Sequence, residues 1–273
     1  MPKSNVTVFV DIFNEQSRIE SFLKSFSWAD EVVIFDKGST DKTIEIAKSY
    51  GAIVVNAPYS DGYEHTKDNV AARNSEEWVF YPTASTFMPP NLADEIVKLT
   101  SDMNFGYDVI GIPYGIHSLG ICNERSPWHE PYKYLLIRRS VLRISPKLHS
   151  EITFESERIF RIPKLPGGEF LFHCTNDDVE NFYKRTLRYT SYESEKMAAP
   201  DSKISKRSAF LSIVKAILIV IFRRKSFLLG WDGVALSLAY VSYFSTRFLK
   251  IWEAERDSVS STYPLLRAKV DEL

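Results

Sequence analysis

Two carboxylates and a glycine lie close together after an apolar run near the start of the chain. The run is Val32–Phe35, and Asp36, Gly38 and Asp41 follow it in the string DKGSTD. Four consecutive apolar residues predict a strand that is buried on both faces of a parallel sheet. A polar turn at the carboxyl end of such a strand is where open α/β sheets bind ligands. Asp36 could therefore accept hydrogen bonds from a base or a sugar, or it could simply hold the turn; the pattern leaves both interpretations open.

A second polar segment follows the first predicted strand, Val6–Val10. Asp11, Asn14 and Glu15 lie at its carboxyl end. Like Asp36, these polar residues follow the end of a predicted strand.

Strands and helices are predicted to alternate over the first hundred residues. One helix is predicted from the spacing of Ile19, Phe22, Leu23 and Phe26. The next begins near Asp41, which can cap it, and ends near Gly51. Its inner side is predicted to carry Ile44, Ile46, Ala47 and Tyr50. Strands over 53–55 and 78–81 and a helix after Pro90 continue the alternation, which predicts βαβ units and a mostly parallel sheet.

The alternation ends after about residue 105. Strands are predicted over 107–112, 132–138, 152–162 and 169–173, followed by a long polar helix over 177–197. The predicted buried stripe of that helix is Val179, Phe182, Tyr183 and Leu187. The predicted organisation is a domain over 1–200, with a nucleotide-binding half (1–104) and a mixed half (105–200), and a helical tail over 201–273.

The composition is that of an ordinary globular protein, with 44% hydrophobic and 25% charged residues. A formal net charge of −1 gives no reason to expect nucleic acid as a partner. Two cysteines, Cys122 and Cys174, form neither a disulfide framework nor a zinc site. The first ten residues contain no secretory apolar segment, so a cytoplasmic location is predicted.

Basic residues are concentrated in the tail. No acidic residue lies between Asp201 and Asp232, where the basic residues are Lys203, Lys206, Arg207, Lys215, Arg223, Arg224 and Lys225. The cluster of Arg223, Arg224 and Lys225 ends the apolar run 209–222 before it reaches the roughly 20 residues that a membrane-spanning helix needs. The pattern favours contact of residues 203–252 with the inner face of a membrane. A hairpin packed on the catalytic domain or on a second subunit, as in a homo-oligomer, is the alternative.

Three strings resemble glycosyltransferase family 2: VDIFNE at 10–15, WADEVVI at 28–34 and DKGSTDKT at 36–43. The most similar branch is the small lipopolysaccharide-core or capsule glycosyltransferases. The resemblance is specific over about the first hundred residues and continues more weakly through 148–151, 229–233 and 248–253. It implies an α/β fold of the GT-A type, with a nucleotide-sugar donor at the carboxyl edge of the sheet and transfer with inversion.

The resemblance also implies which residues bind the donor. Val10, Asn14 and Glu15 would flank the nucleotide, and Asp36 would contact its base. His65, Lys67 and Asn69 match the segment that lies beside the donor in this family. The implied donor-binding set is Val10, Asn14, Glu15, Asp36, Gly38, Ser39, Lys67, Asn69, Thr83 and Ser85. The frequency of donors in the family favours a UDP-sugar.

The chain departs from the family at the Asp-X-Asp motif that binds a metal. After WVFYP at 78–82, the hydroxyls of Thr83 and Ser85 stand where the two carboxylates are expected. Hydroxyls are weak ligands for Mg²⁺ or Mn²⁺, so no metal ligand is predicted.

Three possibilities stay open for the missing metal. The enzyme is metal-independent, with positive charge from Lys67, Arg73, Arg125 or His149; or a metal is held by the donor phosphates and another carboxylate; or the protein is a catalytically inactive nucleotide-sugar-binding or scaffold protein.

An inverting transfer needs a base within reach of the acceptor hydroxyl. The candidates are Asp108, Glu124, His129, Glu130, His149 and Glu151. His149 and Glu151 are the first choice, because LHSE at 148–151 resembles the His-Glu pair of this branch. A surface ion pair is the alternative for these two. The basic, aromatic tail suggests a saccharide or lipid-linked saccharide acceptor in cell-surface polysaccharide or lipopolysaccharide synthesis.

Overall fold

The computed structural model describes residues 3–57, 70, 77–143, 153–165, 167–197, 205–254, 264 and 266–270. The strands are β1 (Val6–Ile12), β2 (Glu31–Asp36), β3 (Ile53–Asn56), β4 (Trp78–Phe80), β5 (Thr86–Phe87), β6 (Val109–Ser118), β7 (Tyr132–Arg138), β8 (Leu142–Arg143), β9 (Thr153–Phe154), β10 (Ile159–Arg161) and β11 (Leu171–Asn176). The α-helices are α1 (Ile19–Ser25), α2 (Thr43–Ser49), α3 (Pro90–Ser101), α4 (Val179–Met197), α5 (Lys206–Leu218) and α6 (Trp231–Ala254).

Nine of these strands form one mixed sheet. Its order is β3–β2–β1–β4–β7–β6–β11–β5, and β10 lies beside β6. The first four strands of this order are parallel, whereas β7 is antiparallel to both β4 and β6. The α/β fold class with a parallel first half, a mixed second half and a helical C-terminal region is therefore confirmed.

The central strand β1 is buried on both faces. Val8 and Val10 lie in a large apolar cluster that includes residues of α1 and α3. Phe9 points to the other side, where it packs with Val33 and Phe35. A strand covered on both faces has no solvent side, which is why its sequence is continuously apolar.

The second helix begins and ends close to the predicted positions. Gly51 follows α2 with a φ of 77°, a left-handed conformation that glycine adopts without strain. Tyr50, which was predicted on the inner side, is 43% exposed. Its hydroxyl donates a hydrogen bond to Glu20 at 2.8 Å, so the prediction for this side chain is wrong.

The single strand predicted over 152–162 is wrong: its described residues form two short strands, β9 and β10. Ser156 and Arg158, near the break between them, turn towards the buried carboxylate of Asp108. The Ser156 hydroxyl donates to Asp108 at 2.6 Å, and Arg158 donates to both carboxylate oxygens, at 2.9 and 2.5 Å. This polar contact interrupts the strand.

The buried stripe of α4 also differs from the prediction. Val179, Tyr183 and Leu187 are exposed, and only Phe182 of the predicted stripe is buried. The buried face instead carries Phe182, Thr186, Thr190 and Ser194, at a spacing of four residues. The Thr190 hydroxyl donates to the carbonyl of Thr186 at 2.8 Å, so this polar group is satisfied inside the helix. Small side chains of this kind allow the neighbouring helix α6 to approach closely.

The chain divides into two compact units. One consists of Met1–His117 and Glu130–Thr175 and contains most of the sheet with α1, α2 and α3. The other consists of Ser118–His129 and Asn176–Leu273, in which α6 packs against α4 and α5. The predicted functional halves 1–104 and 105–200 stay a prediction.

The helices of the second unit pack closely against each other and against the turn between them. A Cβ atom on Gly233 would lie 1.7 Å from the carbonyl oxygen of Ser226, so α6 meets the preceding turn backbone to backbone. In the described part of the chain, no helix combines the length and the apolar character needed to cross a bilayer.

Asp108 provides a test of the first unit's stability. Burial alone would raise its pKa, but the hydrogen bonds from Arg158 and Ser156, with the charge of Arg158, hold the pKa of this carboxyl below its ordinary value. A carboxyl group whose pKa is lower in the folded than in the unfolded state stabilises the fold at pH values above its unfolded-state pKa. This stabilisation is lost as the pH falls through the folded-state pKa.

We expect Asp108→Asn to lower the free energy of unfolding by about 1–3 kcal/mol at neutral pH, because a charge-assisted hydrogen-bond acceptor is removed. Urea denaturation at about pH 7 and about pH 3 should give a smaller difference from wild type in acid, where the carboxylate is increasingly protonated. The exposed Asp94→Asn on α3 is the control. An equal loss at both pH values would contradict the charge-based explanation.

Candidate active site

The carboxyl ends of β1 and β2 lie side by side. Ile12 of β1 is in register with Asp36 of β2, and the Lys37 amide donates to the Ile12 carbonyl at 2.9 Å. β4 lies on the other side of β1 in the same direction. The polar segments that follow these three strands therefore share one edge of the sheet, which is the edge that the family resemblance implied for the donor.

Asn14 joins the segment after β1 to the turn after β2. Its backbone amide donates to the Ser39 hydroxyl at 3.0 Å, and its side-chain oxygen accepts from the backbone amide of Thr40 at 2.8 Å. Asn14 has a φ of 55°, a left-handed conformation in which asparagine is one of the more tolerated residues. Asn14 thus contacts the turn twice, through its own backbone amide and through its side-chain oxygen.

Further hydrogen bonds continue the same connection towards α2. The Glu15 amide donates to the Thr43 hydroxyl at 2.9 Å, and the Gln16 side chain accepts from the Lys42 amide at 3.0 Å. Asp41 accepts from the amides of Gln16 at 3.2 Å and Thr43 at 2.9 Å. We call the hydrogen-bonded residues 14–16 and 36–43 the paired loops. Lys42 and not Asp41 occupies the N-cap position of α2, although Asp41, one residue earlier, accepts from the first helical amide.

Asp36 is almost fully buried, with 7% of its surface exposed. One carboxylate oxygen accepts from the Ser39 amide at 2.9 Å, so Asp36 does hold the turn. A carboxylate can accept several hydrogen bonds at its two oxygens, which leaves capacity for a ligand. The two interpretations of Asp36 are therefore compatible.

Gly38 lies between Asp36 and Ser39 with a φ of 91°. An L-residue is strained in this conformation, although a Cβ on Gly38 would meet no atom within 4 Å. The turn therefore needs glycine for its backbone conformation and not for space.

The segment after β4 carries a chain of hydrogen bonds that the sequence did not predict. Thr83 Oγ1 lies 3.1 Å from Ser85 Oγ and 3.3 Å from Nε2 of His173. The other ring nitrogen of His173 contacts the hydroxyl of Tyr114. Antiparallel pairing of β5 with β11 sets Thr86 opposite His173, which brings the imidazole to these hydroxyls. Tyr114, Thr83, Ser85 and His173 form what we call the hydroxyl–imidazole cluster.

The residue that follows β4 is also joined to β1 by a hydrogen bond. The Tyr81 hydroxyl, just after β4, donates to Asp11 of β1 at 2.7 Å. Tyr114 is buried, and burial, together with the negative charge of Glu130, raises its pKa well above the ordinary value. Its phenol therefore keeps its proton and remains a hydrogen-bond partner of His173.

The donor atoms of this cluster do not fit a divalent cation. Thr83 and Ser85 offer neutral hydroxyls, and both ring nitrogens of His173 contact hydroxyl groups. Mg²⁺ is held mainly by carboxylates, phosphates and water. Across the residues that the structure describes, no group of three or more His, Cys, Asp or Glu side chains is arranged to hold a metal. The cluster is better suited to hydrogen bonding with an anion than to coordinating a cation.

The other predicted residues are placed as follows. Val10 is fully buried, and its side chain packs in the apolar core near the carboxyl end of β1. The Glu15 carboxylate lies 3.8 Å from Arg18. Lys67, Asn69, His149 and Glu151, together with His65 and Arg73, lie outside the described residues, and their roles stay predictions.

Asp108 does not lie where a base would act. It precedes β6, which runs in the same direction as β4, so Asp108 is at the edge of the sheet opposite the paired loops. Its carboxylate is engaged by Arg158 and Ser156, and its candidacy as a base is wrong on this geometry. Glu130 forms an ion pair with Lys133 at 3.0 Å.

Comparison with known proteins identifies the family. Residues 7–152, more than half of the chain, match the family described as Glycosyl transferase family 2. The chain belongs to this family, and it is a glycosyltransferase of the GT-A fold. Family membership favours a transferase over the catalytically inactive alternative.

Relatives of similar length exist in Rickettsia. An uncharacterized glycosyltransferase of Rickettsia typhi is 24% identical over 266 residues, covering 94% of this chain and 88% of the relative. Another, of Rickettsia prowazekii, is 25% identical over 254 residues, covering 90% of this chain and 85% of the relative.

Two solved structures show partial similarity. S. aureus TarS aligns with a TM-score of 0.44 and 15% identity, over 92% of this chain and 54% of that chain. Glucosyl-3-phosphoglycerate synthase from Mycobacterium tuberculosis, in a complex with Mn²⁺, UDP and glucosyl-3-phosphoglycerate, aligns with a TM-score of 0.32 and 25% identity, over 40% of this chain and 43% of that chain.

The backbone requirement at Gly38 can be tested with a matched pair of variants. Gly38→Ala is expected to lower the free energy of unfolding by about 1 kcal/mol, because alanine is strained at positive φ. Gly106→Ala is the control, since a Cβ there also meets nothing within 4 Å and its φ is not positive. Urea denaturation of both variants measures the difference. Equal stability of the two would argue against a strained turn.

Proposed function

We propose that this glycosyltransferase transfers a sugar from a UDP-sugar, with inversion, to a saccharide or lipid-linked saccharide acceptor. The shared edge of β1, β2 and β4 carries the proposal, because it brings the paired loops and the hydroxyl–imidazole cluster to one end of the sheet. The buried carboxylate of Asp36 suits an N–H group of a base, and the cluster suits a diphosphate.

The reaction is a single displacement at the anomeric carbon. The acceptor hydroxyl oxygen forms the new bond to that carbon, and the bond from the carbon to the diphosphate oxygen breaks. The proton of the hydroxyl passes to a base, for which His149 and Glu151 remain the proposed residues. The bonding electrons leave with the nucleoside diphosphate, so the developing negative charge needs hydrogen-bond donors nearby.

We propose that the hydroxyl–imidazole cluster supplies such donors without a metal at this position. A protonated Tyr114 phenol that donates to Nδ1 of His173 leaves the imidazole proton on Nε2, which lies on the Thr83 side. Nε2–H and the hydroxyls of Thr83 and Ser85 then make three donors that can turn to one anion. Tyr114 is a positioning residue in this scheme, and His173 contacts the diphosphate.

The proposed acceptor lies at a membrane. Support comes from the second unit, where large apolar side chains of α5 and α6 such as Phe210, Leu238 and Trp252 are exposed beside basic residues. A peripheral position on the inner, cytoplasmic face, with a product in cell-surface polysaccharide or lipopolysaccharide synthesis, fits such a tail. A homo-oligomer formed through the tail is the competing proposal.

Nucleotide binding tests the donor site directly. Calorimetric titration of UDP, GDP and dTDP, in EDTA and again with Mn²⁺, should give binding of UDP under both conditions. Asp36→Asn retains an oxygen for the Ser39 amide but loses the carboxylate, and we expect it to weaken UDP binding about tenfold, roughly 1.4 kcal/mol. Asp94→Asn, exposed on α3, is the control.

Two outcomes of that titration would contradict different parts of the proposal. The absence of binding by any nucleotide would contradict the donor site. UDP binding that requires Mn²⁺ would retain the donor site and contradict its metal independence. Asp36→Ala is a second variant that removes the turn contact as well, and its melting temperature reports how much of its effect is structural.

The role of His173 is tested by comparing two ligands. His173→Ala should weaken UDP binding in EDTA about tenfold while leaving uridine binding unchanged, because only UDP carries the diphosphate. Tyr114→Phe should weaken UDP binding by a smaller factor, since it disturbs only the orientation of the ring. Equal losses for uridine and UDP would mean that His173 supports the fold and does not bind the phosphates.

A further inference from the structure

The turn that joins α5 to α6 exposes large apolar side chains. Residues 219–223 form a π-helical turn and 226–229 a 3₁₀ turn, and we call residues 219–231 the hairpin tip. Phe222 is 68% and Trp231 86% exposed, with Phe227 and Leu228 more than half exposed. Exposed apolar side chains grouped in this way are typical of interaction surfaces.

An apolar groove lies beside the hairpin tip. Its volume is about 330 Å³, and it is lined by Ile217, Val220, Ile221, Phe227, Val234 and Leu238 among others. Both helices and the tip contribute to it, so the groove belongs entirely to the second unit. Its lining is almost wholly hydrocarbon, which suits an alkyl chain.

The same unit also contains a basic cavity of about 400 Å³. It is lined by Asn123, Glu124, Arg125, Arg223 and Arg224. Three arginines against one glutamate make it suited to an anion. Its walls are fixed, because Arg224 donates to the Glu124 carbonyl at 3.3 Å and the Ser226 hydroxyl donates to the Arg125 carbonyl at 2.7 Å.

The two cavities are adjacent along the chain. Val220 and Ile221 line the groove, while Arg223 and Arg224 line the basic cavity. A ligand that fills both must therefore carry a hydrocarbon chain joined to an anionic head. A phospholipid has this arrangement, and tryptophan and arginine are favoured at the interface between its head and its chain.

We propose that the hairpin tip docks on an anionic bilayer, with a lipid phosphate in the basic cavity and a lipid chain along the apolar groove. The charge of the arginines favours this occupant over a second copy of the chain, which would bring the same positive charge to the same surface. The inference deepens the proposed function, since it names the surface that would bring the enzyme to a lipid-linked acceptor.

Vesicle flotation with the full chain tests the proposal. Wild type should float with vesicles containing phosphatidylglycerol and phosphatidylcholine, but only weakly with phosphatidylcholine alone, and salt should release it. Arg223→Glu combined with Arg125→Glu should reduce the bound fraction at least tenfold. Lys98→Glu, an exposed residue on α3, is the matched charge control and should bind as wild type does.

The apolar contact is tested separately. Phe222→Ser with Phe227→Ser should also reduce binding strongly, whereas Met103→Ser, at a side chain that is 96% exposed in the first unit, should not. Lipids brominated on their chains should quench the fluorescence of Trp231, and the quenching should be lost in Trp231→Phe. Melting temperatures of all variants should match wild type, because the altered side chains are exposed.

Three results would overturn the proposal: no flotation of wild type, flotation that the tip variants leave unchanged, or a lipid-free dimer that Phe222→Ser dissociates. The last would mean that a second copy covers the hairpin tip. Vesicle binding uses no nucleotide, so its failure would leave the donor site intact. Loss of UDP binding would likewise leave the bilayer contact intact.

Discussion

The parallel pairing of β1 with β2 is the constraint on which the proposed active site depends. It sets Ile12 beside Asp36 and so brings two loops that are separated in the sequence into hydrogen-bonding range. Asn14, Asp41 and the Thr43 hydroxyl then join those loops through backbone amides. Because amides of each loop are satisfied by the other, neither keeps its shape alone. Asp36 is thereby held, nearly buried, at the end of a rigid strand, which is how a binding carboxylate is kept in position before a ligand arrives.

The first half of the fold could be predicted from sequence because its signals are local. β1 and β2 are continuous apolar runs, and α1 has apolar residues at helical spacing, so burial on both sheet faces is visible in the residues themselves. The second half was predicted less well. The break between β9 and β10 depends on Asp108, more than forty residues away, and the buried face of α4 is chosen by α6 and not by its own hydrophobicity. In both cases the part of the chain that shapes the segment lies far from it in the sequence.

The same distinction separates the predicted from the unpredicted site residues. Asp36, Gly38 and Asn14 follow strands and lie in recognisable strings, so their edge of the sheet could be predicted. His173 could not, since a two-residue strand, β5, brings it to Thr83 across ninety positions of sequence. A histidine in a short strand pattern gives no signal of that pairing. Yet its presence changes the meaning of Thr83 and Ser85: they are part of a hydrogen-bonded cluster with donors, not only a motif that has lost its carboxylates.

A crystal structure of the protein with UDP, grown in EDTA, would show directly whether the paired loops and the hydroxyl–imidazole cluster bind the nucleotide without a metal. We expect uracil beside the Asp36 carboxylate and the diphosphate within hydrogen-bond distance of Thr83, Ser85 and His173 Nε2, with Tyr114 still on the other ring nitrogen. Nucleotide bound elsewhere on the chain would contradict the donor site. A diphosphate that turns away from His173, or that is ordered only when Mn²⁺ bridges it to a carboxylate, would contradict the proposed replacement of the metal by hydrogen-bond donors.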